Sequence, residues 1–270
     1  MAPASGLRAG CQTNAWAIAD HAGFLHALDR IHAHGYSGFE TGFRNLQARF
    51  GEAKSVRAGI EARQLTFLGI HIFLLEYDRE TSIAPWDLLT RVADGGAALG
   101  AERLILSGAS IADKTARSRK YAALNRGGEY CRKKGMRLAY HNHDREFRDG
   151  GAEIEELMSG CDPGLVSVLM DAGHAWFGGA DAAAFLERHR GRIDGMHLRD
   201  FRRRGATEAD PDPQVALGQG VNRLEPLAEA VRKAGWRGWL INEEERLNNI
   251  KPGDAAVGPA REHVHKIFGV

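Results

Sequence analysis

Short apolar runs that end in polar residues alternate with longer amphipathic stretches from one end of the chain to the other. RAGCQTN at 8–14 reads as a first strand. After it, Phe24, Leu25, Leu28 and Ile31 form an apolar stripe along FLHALDRIHAHG, with Gly35 as the stop. YSGFET is a second strand and leads into a helix over 43–64. TFLGIHIF at 66–73 is a buried strand carrying His71, and the helix at 84–99 ends at Gly100, which suits a left-handed C-terminal cap. RLILSG is strand four. A basic helix over 114–134, with Gly127 and Gly128 as weak points, precedes MRLAYH, and a short helix near 152–160 precedes LVSVLMD. A helix near 180–190 leads to IDGMHL, then a polar loop of 201–220 containing LGQG, a helix over 222–234, GWLINEE, and a last helix running to 268.

Strands apolar on both faces and joined by helices require a parallel sheet with right-handed crossovers. Eight such units in 270 residues, with no linker or break in composition, predict a single (β/α)8 TIM barrel, α/β in class, as one domain over 1–270. A doubly wound open sheet is the competitor, but the first strand-to-helix turn, CQTNAWAIAD, lacks a glycine-rich phosphate fingerprint.

Composition narrows the partners. Hydrophobic residues at 43% and charged ones at 26% allow a sizeable core. The 36 Lys and Arg nearly cancel the 35 Asp and Glu, so no global field draws the chain to a polyanion, and no nucleic-acid partner is expected. The basic tracts RKK at 132–134 and RRR at 202–204 neighbour acids and read as solvated surface. Cys11, Cys131 and Cys161 are too few and scattered for a disulfide framework or a CxxC metal site. MAPASGLRAG has no long apolar core and no run approaches the roughly 20 residues of a membrane helix, so a cytoplasmic protein without membrane contact is expected.

In such a barrel the C-terminal strand ends form the active face. The polar residues there are Gln12 and Asn14, Glu40, His71, the cluster His141, His143, Asp144 and Glu146, then Asp171 with His174, His197 with Asp200, and Glu243 with Glu245. Side-chain alternation puts Glu243 and Glu245 on one side and Glu244 on the other. Carboxylates with an imidazole suit a borderline divalent ion such as Mn, Co, Fe, Mg or Zn.

The order YHNHDREF, DAGH, MHLRD, LGQG and GWLINEEER, with GCQTNAW and GYSGFE before it, resembles the sugar phosphate isomerase and epimerase superfamily with the xylose isomerase-like barrel. The resemblance implies one divalent metal held by Glu, Asp, His and Glu from strands five to eight. Carried onto matching positions, Asp171, His197 and Glu243 take the last three places. Many relatives place a glutamate where His141 stands; in the subgroup sharing YHNHD it lies five residues later, at Glu146. Ligand charge favours Glu146 as the fifth-strand ligand, with His141 the alternative. His141 and His143 are then free for substrate or proton transfer, and His174, Asp200, Glu40, His71, Gln12 and Glu245 are expected around the substrate.

That constellation implies an isomerase or epimerase acting on a keto sugar or related polyol through an enediolate, with Glu146 and Glu243, or His143, moving the proton. One enediolate also serves loss of a β-hydroxyl, so a lyase of the inosose dehydratase type is the alternative. An abasic-site endonuclease shares the barrel but needs more metal ligands and a basic face. A non-catalytic sugar-binding barrel is disfavoured by the intact Asp171, His197 and Glu243. The resemblance further implies a homo-oligomer.

Overall fold

The structure is a computed structural model and describes residues 6–73, 75, 77–245, 247 and 250–270. Residues 1–5 of MAPASGLRAG and Arg246 of GWLINEEER lie outside the described residues.

Eight parallel strands close into a barrel: β1 Leu7–Gln12, β2 Gly38–Gly42, β3 Thr66–Ile72, β4 Arg103–Ser107, β5 Arg137–His141, β6 Val166–Asp171, β7 Ile193–Leu198 and β8 Gly238–Asn242. Each pairs with its sequence neighbours, and β8 closes on β1 with Cys11 opposite Asn242. The helices are α1 His21–Ala33, α2 Ala53–Glu61, α3 Trp86–Leu99, α4 Lys114–Lys133, α5 Ala152–Gly160, α6 Ala172–Phe177, α7 Ala182–His189, α8 Glu225–Ala234 and α9 Asp254–Phe268. Among the described residues no helix is long and apolar enough to cross a membrane.

Two local expectations change. The stretch predicted as one helix over 43–64 begins as 3-10 turns at Phe43–Asn45 and Gln47–Glu52, and only Ala53–Glu61 is α-helical. The tighter winding stacks positions three apart, which brings the buried Phe43 and Leu46 onto one side. Gly127 and Gly128 are contact points of α4: a Cβ at Gly127 would lie 2.9 Å from Leu138 Cδ1, and one at Gly128 would press into the Leu165 carbonyl. DAGH opens the six-residue helix α6, too short to show a period, with Asp171 as its N-cap. Gly100 does cap α3, at φ +87°.

The core has two layers. Leu68, Ile105, Ala139, Leu169, Trp239 and Ile241 pack as their own cluster inside the barrel, and the larger cluster lies between strands and helices. This layering fixes which way the strand ends point. Along β5, Ala139 belongs to the inner cluster and Tyr140 to the outer, so alternation turns His141 inward. By the same parity Leu169 leads to Asp171, and Trp239 and Ile241 lead to Glu243.

Candidate active site

Four consecutive strands deliver one donor each to a single point at the C-terminal rim. His141, Asp171, His197 and Glu243 are all buried, and one ligand atom of each lies within 4.8 Å of the others. His141 Nε2 is 3.0 Å from His197 Nδ1 and 3.5 Å from both Asp171 Oδ2 and Glu243 Oε2. His197 Nδ1 contacts the same Glu243 oxygen. Asp171 is aimed by a second contact, in which Oδ1 accepts the His174 N–H at 2.7 Å; this caps α6 and leaves Oδ2 for the group. Asn142 ties the β5 end to β6, accepting the Asp171 N–H at 2.9 Å and donating to its carbonyl at 3.1 Å.

Both imidazoles are held from behind. His197 Nε2 lies 2.7 Å from Glu40 Oε2, and the other Glu40 oxygen is 3.8 Å from Arg103 Nη1 inside the barrel. His141 Nδ1 lies 3.4 Å from Ser107 Oγ, which is 2.8 Å from His71 Nε2. Partners of this kind fix ring orientation and tautomer in metal-bound histidines. With the back nitrogens so engaged, His141 Nε2 and His197 Nδ1 turn toward the group beside two carboxylate oxygens, and on losing their protons they would complete a donor set that fits one borderline divalent ion.

The electrostatics match that layout. Burial opposes charge on His197, but Glu243 and Glu40 outweigh it and push its pKa up to about 10. Burial likewise opposes ionisation of Asp171, yet His174 and Arg199 hold it well below the usual carboxylate range. Glu243 is lowered against burial by Arg199 and His197. Burial first, and then the charge of His141, lowers both His71 and His143 and keeps them neutral.

Residues 28–266 match the model of the xylose isomerase-like TIM barrel family. The chain belongs to that family. Inosose dehydratases from Geobacillus thermodenitrificans and Lacticaseibacillus casei are 33% and 34% identical to it over 159 and 134 residues, or 54% and 46% of this chain. Those matches cover 53% and 45% of the relatives, so the chain spans about half the length of the curated relatives it matches. Two solved structures share the fold. A sugar phosphate isomerase/epimerase from Parabacteroides distasonis has a TM-score of 0.74 at 20% identity, covering 97% of this chain and 94% of that one. The D-allulose 3-epimerase from Methylomonas sp., in complex with D-allulose, has a TM-score of 0.77 at 16% identity, covering 97% and 98%.

Measured against the expected site of this xylose isomerase-like barrel, three of the four predicted ligands converge and the fourth does not. Glu146 lies outside the donor group, and His141 stands in the fifth-strand place. The cause is strand parity: Glu146 accepts from the outward-facing Tyr140 hydroxyl at 2.6 Å and from the His143 N–H at 3.2 Å. Burial raises its pKa. Asp144 pairs with Arg148 at 2.6 Å. Asp200, expected around the substrate, is engaged with backbone: its two oxygens accept four N–H groups, from Phe201, Gly218, Gly220 and Asn222, at 2.8–3.1 Å. It organises the loop before α8.

His143 and His174 remain at the mouth, ring centroids 5.0 Å apart, each with a buried Nδ1 that has no hydrogen-bond partner. Gln12 Nε2 is in the same condition. Asn14 donates to Glu243 Oε1 at 3.2 Å, and Glu245 reaches Arg199 Nη1 at 3.3 Å. Glu40 and His71, expected beside the substrate, instead stand behind the two imidazoles. Ser107 and Arg199 are not singled out by the sequence pattern. Ser107 is the last residue of β4, before the Gly108 that ends RLILSG, and Arg199 sits inside MHLRD, where the parity of His197 is a usable signal.

Proposed function

We propose that the chain is a divalent-metal-dependent enzyme that removes a proton from the carbon beside a carbonyl of a keto sugar or related polyol, with isomerisation or epimerisation as the outcome. The supporting observation is the buried group of His141, Asp171, His197 and Glu243 with both imidazoles anchored from behind. Those four residues would hold the ion, and when bound it supplies the Lewis acidity that polarises the carbonyl. The chain's own proton acceptor is His143: neutral, at the mouth, and with Nδ1 unpartnered. Asn14 orients the Glu243 carboxylate, and Glu40 keeps the His197 ring from turning.

A second reading, elimination of a β-hydroxyl, is favoured by the inosose dehydratases among the relatives. It requires an acid near the base, and His174 stands 5.0 Å from His143 by ring centroid. Both readings share the first proton transfer.

Incubating the ion-loaded protein with keto sugars and inosose in deuterated water tests the shared step. Deuterium beside the carbonyl is expected, and product analysis then separates the two outcomes. Asp171→Asn and Glu243→Gln are each expected to lose both metal content and turnover. Exchange absent across the panel, or full metal stoichiometry in both variants, would refute the assignment.

A further inference from the structure

Arg199 follows His197 by two positions and leaves the end of β7 toward the same side. Its side chain is 2% exposed. Nε donates to Asp171 Oδ2 at 2.6 Å, and Nη2 lies 2.6 Å from Glu243 Oε2. These are the two oxygens that His141 Nε2 approaches at 3.5 Å, the ones turned toward the middle of the donor group. Nη1 continues to Gln214 Oε1 at 3.2 Å and Glu245 Oε2 at 3.3 Å. The backbone is fixed as well: the Arg199 carbonyl accepts from Asn222 Nδ2 at 3.1 Å. Packing against α6 is close enough that a Cβ at Gly173 would lie 2.6 Å from Arg199 Cβ.

Two carboxylates buried side by side repel unless a cation lies between them, and a guanidinium keeps its charge at any pH the protein meets. A divalent ion on the same two oxygens would then share them with a fixed positive charge.

We propose that Arg199 is the resident counter-cation of this site, which holds Asp171 and Glu243 in place in the metal-free protein and limits how tightly that pair grips a divalent ion. The proposal rests on the metal reading above. In it the planar fork supplies position, because it bridges β6 and the residue after β8, and the charge supplies the limit on affinity. Carboxylates that stay partly committed to Arg199 would donate less charge to a bound ion and so leave it a stronger Lewis acid.

Wild type, Arg199→Met and Arg199→Lys are titrated with Mn2+ by calorimetry and melted with and without Mn2+. Arg199→Met loses charge and fork together. Its metal-free Tm is expected to fall, its Kd for Mn2+ to tighten about tenfold, and the gap between metal-free and loaded Tm to widen. Arg199→Lys keeps the charge and loses the fork, so its metal-free Tm also falls while its Kd stays within about threefold of wild type. A merely structural arginine would lower Tm in both variants and leave the gap unchanged. If wild type takes up no Mn2+, the metal reading and this proposal fall together; if wild type binds and Arg199→Met binds no more tightly, Arg199 alone is misassigned. Should Arg199→Met fold only with Mn2+ present, the lysine variant decides, and a tenfold tightening in it would overturn the proposal.

Discussion

At the level of single residues, what the sequence reveals and what it hides follow from strand parity. Asp171 and Glu243 are legible because each ends or follows an apolar run at a position shared with inward-facing core residues, and His197 shares the parity of Gly195, where a Cβ would meet Leu169 and Ile241. Ligand charge favours Glu146 over His141, whereas orientation supports His141: Tyr140 faces the helices, and Glu146 joins it there. Arg199 is hidden because an arginine beside an acid reads as surface, and only its parity with His197 points it inward. For His143→Ala the expected result is unchanged metal content with turnover lower by about 10²–10⁴-fold, since a general base contributes on that scale. Metal analysis and steady-state kinetics on the same preparation check it. Glu244 gives a pH test. Burial pushes its carboxyl up to about 7, against the Leu217 N–H that it accepts at 2.9 Å. A raised carboxyl pKa means that the folded chain binds the proton more tightly than the unfolded one. Its contribution to stability is therefore complete below the ordinary glutamate range and is lost as pH rises to about 7. In metal-free protein, Glu244→Gln keeps an acceptor for Leu217 and removes the titration. The Tm of wild type relative to this variant should thus decline between pH 4.5 and pH 7 and level off above; a constant difference across that range would contradict the assignment.

At the level of elements, the βα alternation is readable throughout, and the errors fall where local geometry serves packing. Phe43 and Leu46 are brought together by 3-10 winding, a pattern that a 3.6-residue period does not report. The glycines of α4 look like defects because the strand surface they lie against is absent from a local window. The segment after β5 carries His143, the proposed proton acceptor. Its shape depends on Glu146, which joins the Tyr140 hydroxyl to the His143 backbone. Glu146→Ala leaves both donors buried and unpaired, a loss of about 1–3 kcal/mol. The expected phenotype is a lower Tm and reduced kcat with the metal content of wild type. Loss of the ion instead would restore Glu146 as a ligand.

Across the whole molecule, the barrel explains how residues as far apart in sequence as His141 and Glu243 reach one point, while polar pairs behind them, Glu40 with Arg103 and Ser107 with His71, fix the rings from inside the cylinder. Near-neutral net charge leaves recognition to this local arrangement rather than to a long-range field. The central claim is that one divalent ion sits among His141, Asp171, His197 and Glu243. Anomalous X-ray scattering from crystals grown with Mn2+ measures this directly. One peak per chain in contact with all four side chains is predicted, and no peak there, or a peak held by Glu146 in place of His141, would contradict it.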